Sequence, residues 1–222
     1  MNNPLTIIIE DRILRAVNVF TCKDESRFIL NGVHLHLTSD TTAILSATDG
    51  RRLIRIMTNV LVTGFQSPFQ IILPSKLIDD RVDGICWNHS PKSKSVLTIQ
   101  GEGTRTISKG DIKGESSITR KEIAGKFPNV VRVIPKKFSL AKEVTVNFSY
   151  YGDLAKVSSY LGDRSAGGRF YQAEDNGVYV IQADFGPYEV LALIMPMRLS
   201  DHNDHLESLP DWAFTPNTDS EV

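Results

Sequence analysis

Leu5-Thr6-Ile7-Ile8-Ile9-Glu10-Asp11-Arg12-Ile13-Leu14-Arg15-Ala16-Val17-Asn18-Val19-Phe20 changes its hydrophobic period partway along. Leu5–Ile9 is a short apolar run that reads as a strand. From about Glu10 to Phe20 the apolar residues fall at helical spacing, with Ile9, Ile13, Val17 and Phe20 on one face. A strand feeding a short amphipathic helix is therefore the unit, and it recurs twice. Phe69–Leu73 leads into Pro74-Ser75-Lys76-Leu77-Ile78, where Pro74 suits a helix start. Val144–Phe148 leads into a helix predicted from about Ser149 through Leu161.

Each helix is followed by strand-like runs. After the first come Val33–Leu37, Thr42–Ala47 and Leu53–Met57, with the turn dipeptide Asp49-Gly50 between the last two. After the second come Val96–Gln100, Thr104–Ser108 and Ser116–Arg120. After the third come Arg169–Ala173, Val178–Ala183 and Tyr188–Met197, with Asp175-Asn176-Gly177 turning the first pair. The pattern is β-α-β-β-β three times, an internal repeat that predicts an α+β protein with helices on one side of antiparallel sheets. Gly125–Lys137, with two prolines and no periodicity, reads as the linker between modules two and three. Ser200–Val222 holds six acids and no Lys or Arg, and reads as a flexible acidic tail.

The 222 residues leave room for one large or two small domains with a sizeable core. Hydrophobic (41%) and charged (23%) fractions are those of a globular protein, and 25 basic against 26 acidic side chains give no global pull toward nucleic acid. Cys22 and Cys86 lie in unrelated patterns, which predicts a reducing compartment and no zinc site. The start, Met1-Asn2-Asn3-Pro4, carries no signal pattern, and no apolar stretch reaches membrane-spanning length. A cytoplasmic protein without membrane contact is expected.

The apolar run Tyr188–Leu199 ends in Ile194-Met195-Pro196-Met197-Arg198-Leu199. As a continuous strand it would point Leu191, Leu193, Met195 and Met197 to one face. Such a face is either the buried edge of a core or a soft, polarizable surface for apolar partners.

Four motifs in order resemble the bacterial DNA sliding clamp, the β subunit of DNA polymerase III. Arg27-Phe28-Ile29-Leu30-Asn31-Gly32 with Ala47-Thr48-Asp49-Gly50-Arg51-Arg52-Leu53 resembles the start of that family's middle domain. Gly125-Lys126-Phe127-Pro128-Asn129 through Val133-Ile134-Pro135 resembles the end of the same domain. Val146-Asn147-Phe148-Ser149-Tyr150 and Met195-Pro196-Met197-Arg198-Leu199 resemble the second half of the last domain. The resemblance divides the chain into a middle-domain-like part (residues 1–138, two modules), half of a last domain (139–199, one module) and the tail (200–222). The family's first domain, and half of its last, have no counterpart.

The resemblance implies a DNA-clamp fold and a role in DNA replication as a processivity factor. It further implies a pocket for short apolar peptides of DNA polymerases and other clamp-binding proteins. Carried over by motif, its wall is Leu30, Thr48, Gly50, Arg51, Arg52 and Leu53 from module one, and Pro128 and Val133 from module two. Module three adds Leu193, Met195, Pro196, Met197 and Arg198, with Asn147 and Tyr150 near the rim. An extended peptide needs such an apolar cleft with a few polar groups to fix it. Arg51 stands where the family usually has His, so polar selectivity is expected to differ. The family's helices meet DNA phosphates without reading bases. Here Arg12, Arg15, Lys76, Arg81 and Lys156 would do so, with Lys23 and Arg27 from a loop, giving weak, salt-sensitive binding to double-stranded DNA. Asp11, Asp79, Asp80, Asp83 and Asp153 share those helices, and a solvated mixed-charge face explains the cations nearly as well.

No catalytic constellation forms, so no enzyme activity and no cofactor are expected. His202 and His205 have helical metal spacing but sit in the tail, and no metal is assigned. Gly162-Asp163-Arg164-Ser165-Ala166-Gly167-Gly168 lacks the ending of a phosphate loop. Two functional readings stand. One is a processivity clamp encircling DNA, a homo-oligomer in which four such chains would make a ring of the family's size. The other is a ringless clamp-like adaptor or decoy that keeps the peptide pocket alone. Leu206, Leu209, Trp212 and Phe214, set among acids, resemble a ligand for an apolar, arginine-rimmed cleft.

Overall fold

A computed structural model describes residues 4–65, 69–80, 93–101, 104–114, 116–162, 167–174, 177–183, 185 and 187–197. Arg81, Cys86, Arg198, the tail from 200 onward and most of the 162–168 loop lie outside them.

In module one the period change at Glu10 marks the junction of β1 (Leu5–Glu10) and α1 (Asp11–Asn18), followed by β2 (Gly32–Leu37), β3 (Thr42–Thr48), β4 (Arg52–Asn59) and a short β5 (Leu61–Thr63). Module two runs β6 (Phe69–Pro74), α2 (Ser75–Asp79), β7 (Lys94–Gln100), β8 (Thr106–Gly110) and β9 (Ser117–Lys121). Module three has β10 (Phe138–Leu140), α3 (Phe148–Leu161), β11 (Gly168–Ala173), β12 (Tyr179–Ala183) and β13 (Glu189–Ile194). Among the described residues all pairings are antiparallel and build two sheets, β5-β1-β7-β8-β9 and β10-β11-β12-β13-β4-β3-β2-β6.

Modules one and two exchange strands. β1 pairs with β7, and β6 pairs with β2, so neither module owns a complete sheet. At Gly32, opposite Pro74, the exchange is so tight that a Cβ would stand 2.5 Å from the Leu73 carbonyl oxygen. Both sheets and α1 share one core, with Ile7, Ile9, Ile13, Leu14, Val17, Leu35, Leu45, Ile54 and Leu97 fully enclosed. Asp11, the first residue of α1, is buried there. It accepts from Ser95 Oγ at 2.8 Å, pairs with the wholly buried Lys109 Nζ at 2.9 Å and with Arg15. Burial alone would raise its pKa, but Lys109 and then Arg15 outweigh that and hold the carboxyl below its usual range.

Module three joins on the far side of module one. β13 pairs with β4 over six residues, and α3 packs against α1. Its expected first strand, Val144–Phe148, is not a ladder strand. The edge of β11 is taken by β10, which begins directly after the expected linker Gly125–Lys137. Residues 143–147 are satisfied singly instead: Thr145 N donates to Tyr179 Oη (3.2 Å), that hydroxyl donates to Glu143 O (3.2 Å), and Thr145 O accepts from Met197 N (2.7 Å). Asn147 then caps α3, its side chain accepting from Ser149 N at 2.9 Å. The helix in module one is also shorter than Glu10–Phe20, and β13 stops at Ile194 rather than continuing to Met197.

Candidate functional site

Three segments distant in sequence converge at the β4–β13 seam. The first is the turn between β3 and β4. Thr48 Oγ1 donates to Arg52 O (2.6 Å) and accepts from Gly50 N (3.0 Å), while Asp49 Oδ1 accepts from the backbone N of Arg51 (2.9 Å) and Arg52 (3.1 Å). Gly50 takes φ +89°, which a side chain would strain. The turn is thus fixed from within. The second segment is the strap of residues 122–137, which crosses the outer face of the eight-stranded sheet from β6 to β10. Ile123 N donates to Ile72 O (3.1 Å), Phe127 stacks on His34, and Val130 and Ile134 pack on Leu53, Val178, Val180 and Leu193. The third is the end of β13, where Met195 N donates to Arg51 O at 2.8 Å and so ties module three to the turn.

Between them lies a largely apolar cavity of about 290 Å³. Module one lines it with Leu30, Thr48, Gly50, Arg51, Arg52 and Leu53, the strap with Pro128, Asn129, Val130 and Val133, and module three with Val178, Leu193 and Met195. Asn129, Val130 and Val178 escaped the sequence reading. The first two belong to a turn without periodicity, in which Val130 N donates to Pro128 O and Val130–Val133 forms a 3-10 helix. The alternation expected through Met197 holds only for Leu191 and Leu193, because the strand ends first. Leu193 is buried, whereas Met195 and Met197 are each 49% exposed. Pro196, Met197 and Asn147 are not part of the lining, and Asn147 instead holds the start of α3. Arg198 lies outside the described residues.

Arg52 is engaged inward. Its guanidinium pairs with Asp49 (2.8 Å) and with Asp153 of α3, and lies over the rings of Phe20 (4.7 Å) and Tyr150 (4.8 Å). Burial would raise the pKa of Asp153, but its hydrogen bonds from Lys156 and Arg52 lower it overall. Arg52 and Tyr150 therefore clamp module three to module one beside the cavity, whereas Arg51, also in the lining, is exposed at the turn.

The cations expected to meet DNA divide in two. Arg12 pairs with Glu10 at 2.7 Å and lies over Tyr188, and Arg15 pairs with Asp11, so both guanidinium groups are spent inside the protein. Lys23, Arg27, Lys76 and Lys156 are exposed, though Arg27 donates to Asp49 O (3.2 Å) and Lys156 pairs with Asp153 (2.8 Å). Arg81 is outside the described residues. Among the described residues no helix is long and apolar enough to cross a membrane.

Comparisons with known proteins agree with this architecture. Residues 9–129 match the family described as DNA polymerase III beta subunit, central domain. The beta sliding clamp of Synechococcus elongatus is 29% identical over 126 residues, 57% of this chain but 32% of that protein, so the match spans about a third of the relative's length. Among solved structures, the Helicobacter pylori beta clamp bound to a DNA ligase peptide superposes with a TM-score of 0.66 at 12% identity, covering 90% of this chain and 67% of that one. The Pseudomonas aeruginosa sliding clamp bound to griselimycin gives 0.63 at 19% identity, covering 87% and 65%. At such identities the structures speak for the fold, and the family match speaks for descent. The chain belongs to the bacterial DNA polymerase III β subunit, or sliding clamp, family.

Proposed function

We propose that this protein is a non-enzymatic DNA sliding-clamp-like processivity factor whose cleft binds short apolar peptide motifs of DNA polymerases and other replication or repair proteins. One observation carries the reading: an apolar cavity assembled from three separate segments, each fixed by its own hydrogen bonds before any ligand arrives. Preorganisation of that kind lowers the cost of binding. Residues 1–138 then act as the middle-domain-like part and 139–199 as half of a last domain. Met195 supplies adaptable contact in the cavity wall, and Arg51 supplies a polar anchor.

A second reading has its own support. Arg12 and Arg15, which should face DNA in an encircling clamp, are consumed by Glu10 and Asp11. A ringless adaptor or decoy that captures clamp-binding peptides without encircling DNA fits that better than a ring of several copies does. Fluorescence anisotropy with the DNA ligase peptide carried by the Helicobacter pylori clamp tests the shared core of both readings. Saturable binding that Leu53→Ala and Met195→Ala weaken is expected. Absence of binding, or indifference to both substitutions, overturns it. Sedimentation at micromolar concentration then separates ring from adaptor, because a strict monomer cannot encircle DNA.

A further inference from the structure

The apolar cleft has a neighbour. Across the strap, a second cavity of about 510 Å³ opens on the outer face of the eight-stranded sheet, and Pro128, Asn129 and Val130 wall both. Its chemistry is the opposite of the cleft's. Strand register places His34 and Arg55 opposite Ser46, and His36 opposite Ile44 and Gln70, so these side chains share the face turned away from the helices. Lys126 and Arg132 close the cavity from the strap, which is pinned between them by Phe127 stacking flat on His34 (4.7 Å, 3°). Three full cations and two imidazoles line it, and no described carboxylate does. Arg55, Lys126 and Arg132 form no ion pair among the described residues. Glu189, on the same face, lines the next hollow along β13. Burial holds the pKa of Arg55 below its usual value. A half-buried cation without a counter-ion gains when a carboxylate reaches it.

We propose that the cleft and this basic cavity form one bipartite peptide site, in which the cleft takes an apolar anchor and the cavity takes acidic side chains flanking that anchor. The inference rests on the peptide reading above and adds a selectivity to it. A peptide leaving the cleft over Pro128–Val130 enters the cavity directly. DNA is the less suitable occupant, because α1 packs on the opposite face of β2, β3 and β4.

The test uses the full chain and fluorescent forms of the ligase peptide, extended at either end by four glutamates or four glutamines. At 50 mM salt the glutamate form should bind about five- to twenty-fold tighter than its glutamine twin at one of the two ends, as a few partly exposed ion pairs provide. The gain should vanish near 500 mM salt. A Lys126→Glu/Arg132→Glu protein should lose the difference between the twins. If the unextended peptide binds but glutamate adds nothing at either end, this inference fails and the cleft reading survives. If no peptide binds, both fail. If the double substitution weakens binding of a 20-base-pair duplex and leaves the twins' difference intact, the cavity belongs to nucleic acid and the inference is overturned.

Discussion

Modules one and two are entangled, whereas module three is docked. The first residue of α1 is Asp11, buried where β7 of the sister module supplies Ser95 Oγ and β8 supplies Lys109. The first residue of α3 is Phe148, which is 86% exposed. The same strand-to-helix junction thus carries a buried charge where a sister module covers it and an open aromatic where none does. The comparison shows that a clamp module does not finish its own core, since its first strand and the start of its helix need strands from elsewhere. Module three compensates with β10 along β11 and with the Tyr179 hydroxyl, and leans on module one through β4·β13 and Arg52.

The largest effect is expected inside the entangled pair. Lys109→Met strips Asp11 of its wholly buried cation and leaves Ile78 O without its donor at 3.1 Å. Removing one partner of a buried pair costs about 3–5 kcal/mol, so urea unfolding should shift far to lower concentration. The pH dependence has a fixed sign. The carboxyl pKa of Asp11 is lowered by folding, so its contribution is complete above its unfolded value of 3.8 and lost as pH falls through the lower folded value. Asp11→Asn should flatten the loss of stability below pH 4, and an unchanged acid limb would contradict the arrangement.

Next comes the seam. Arg52→Ala removes the contacts to Asp49, Asp153, Phe20 and Tyr150 together. Charge-assisted bonds of this kind are worth about 2–3 kcal/mol where largely buried. Hydrogen exchange should accelerate in α3 while the amides of β1 and β7 stay protected. Equal acceleration in all three elements would mean that module three is no less entangled than the other two.

The sequence carried the fold through local signals, and the exceptions are instructive. The period change at Glu10, the Asp49-Gly50 turn and the apolar runs of β2–β4 and β12 are short-range features, and the strands fall within a residue or two of expectation. Val144–Phe148 has strand composition, yet whether it pairs depends on β11 and Tyr179, far along the chain. The same limit applies at the site. The turn and strand-end residues were legible from motif, but Asn129, Val130 and Val178 reach the cavity only because the strap crosses the sheet. Arg12 and Arg15 read as phosphate contacts, and Arg52 as pocket wall, because composition cannot pair them with their partners Glu10, Asp11, Asp49 and Asp153.

The smallest expected effect sharpens the contrast most. Phe148 contacts Tyr151 (ring centroids 6.3 Å), and Tyr151 in turn contacts Phe170 (5.7 Å), so an aromatic row runs from solvent into module three. If the face stays open in solution, Phe148→Ser removes almost no buried area, and stability should change by no more than about 0.5 kcal/mol, as for ordinary surface positions. Solubility should improve, because an exposed aromatic on a module that also exposes Val144 and Leu140 invites association. A loss above about 1 kcal/mol that grows with protein concentration would show the face covered by another copy. The third module would then complete its core between chains, as modules one and two complete theirs within one.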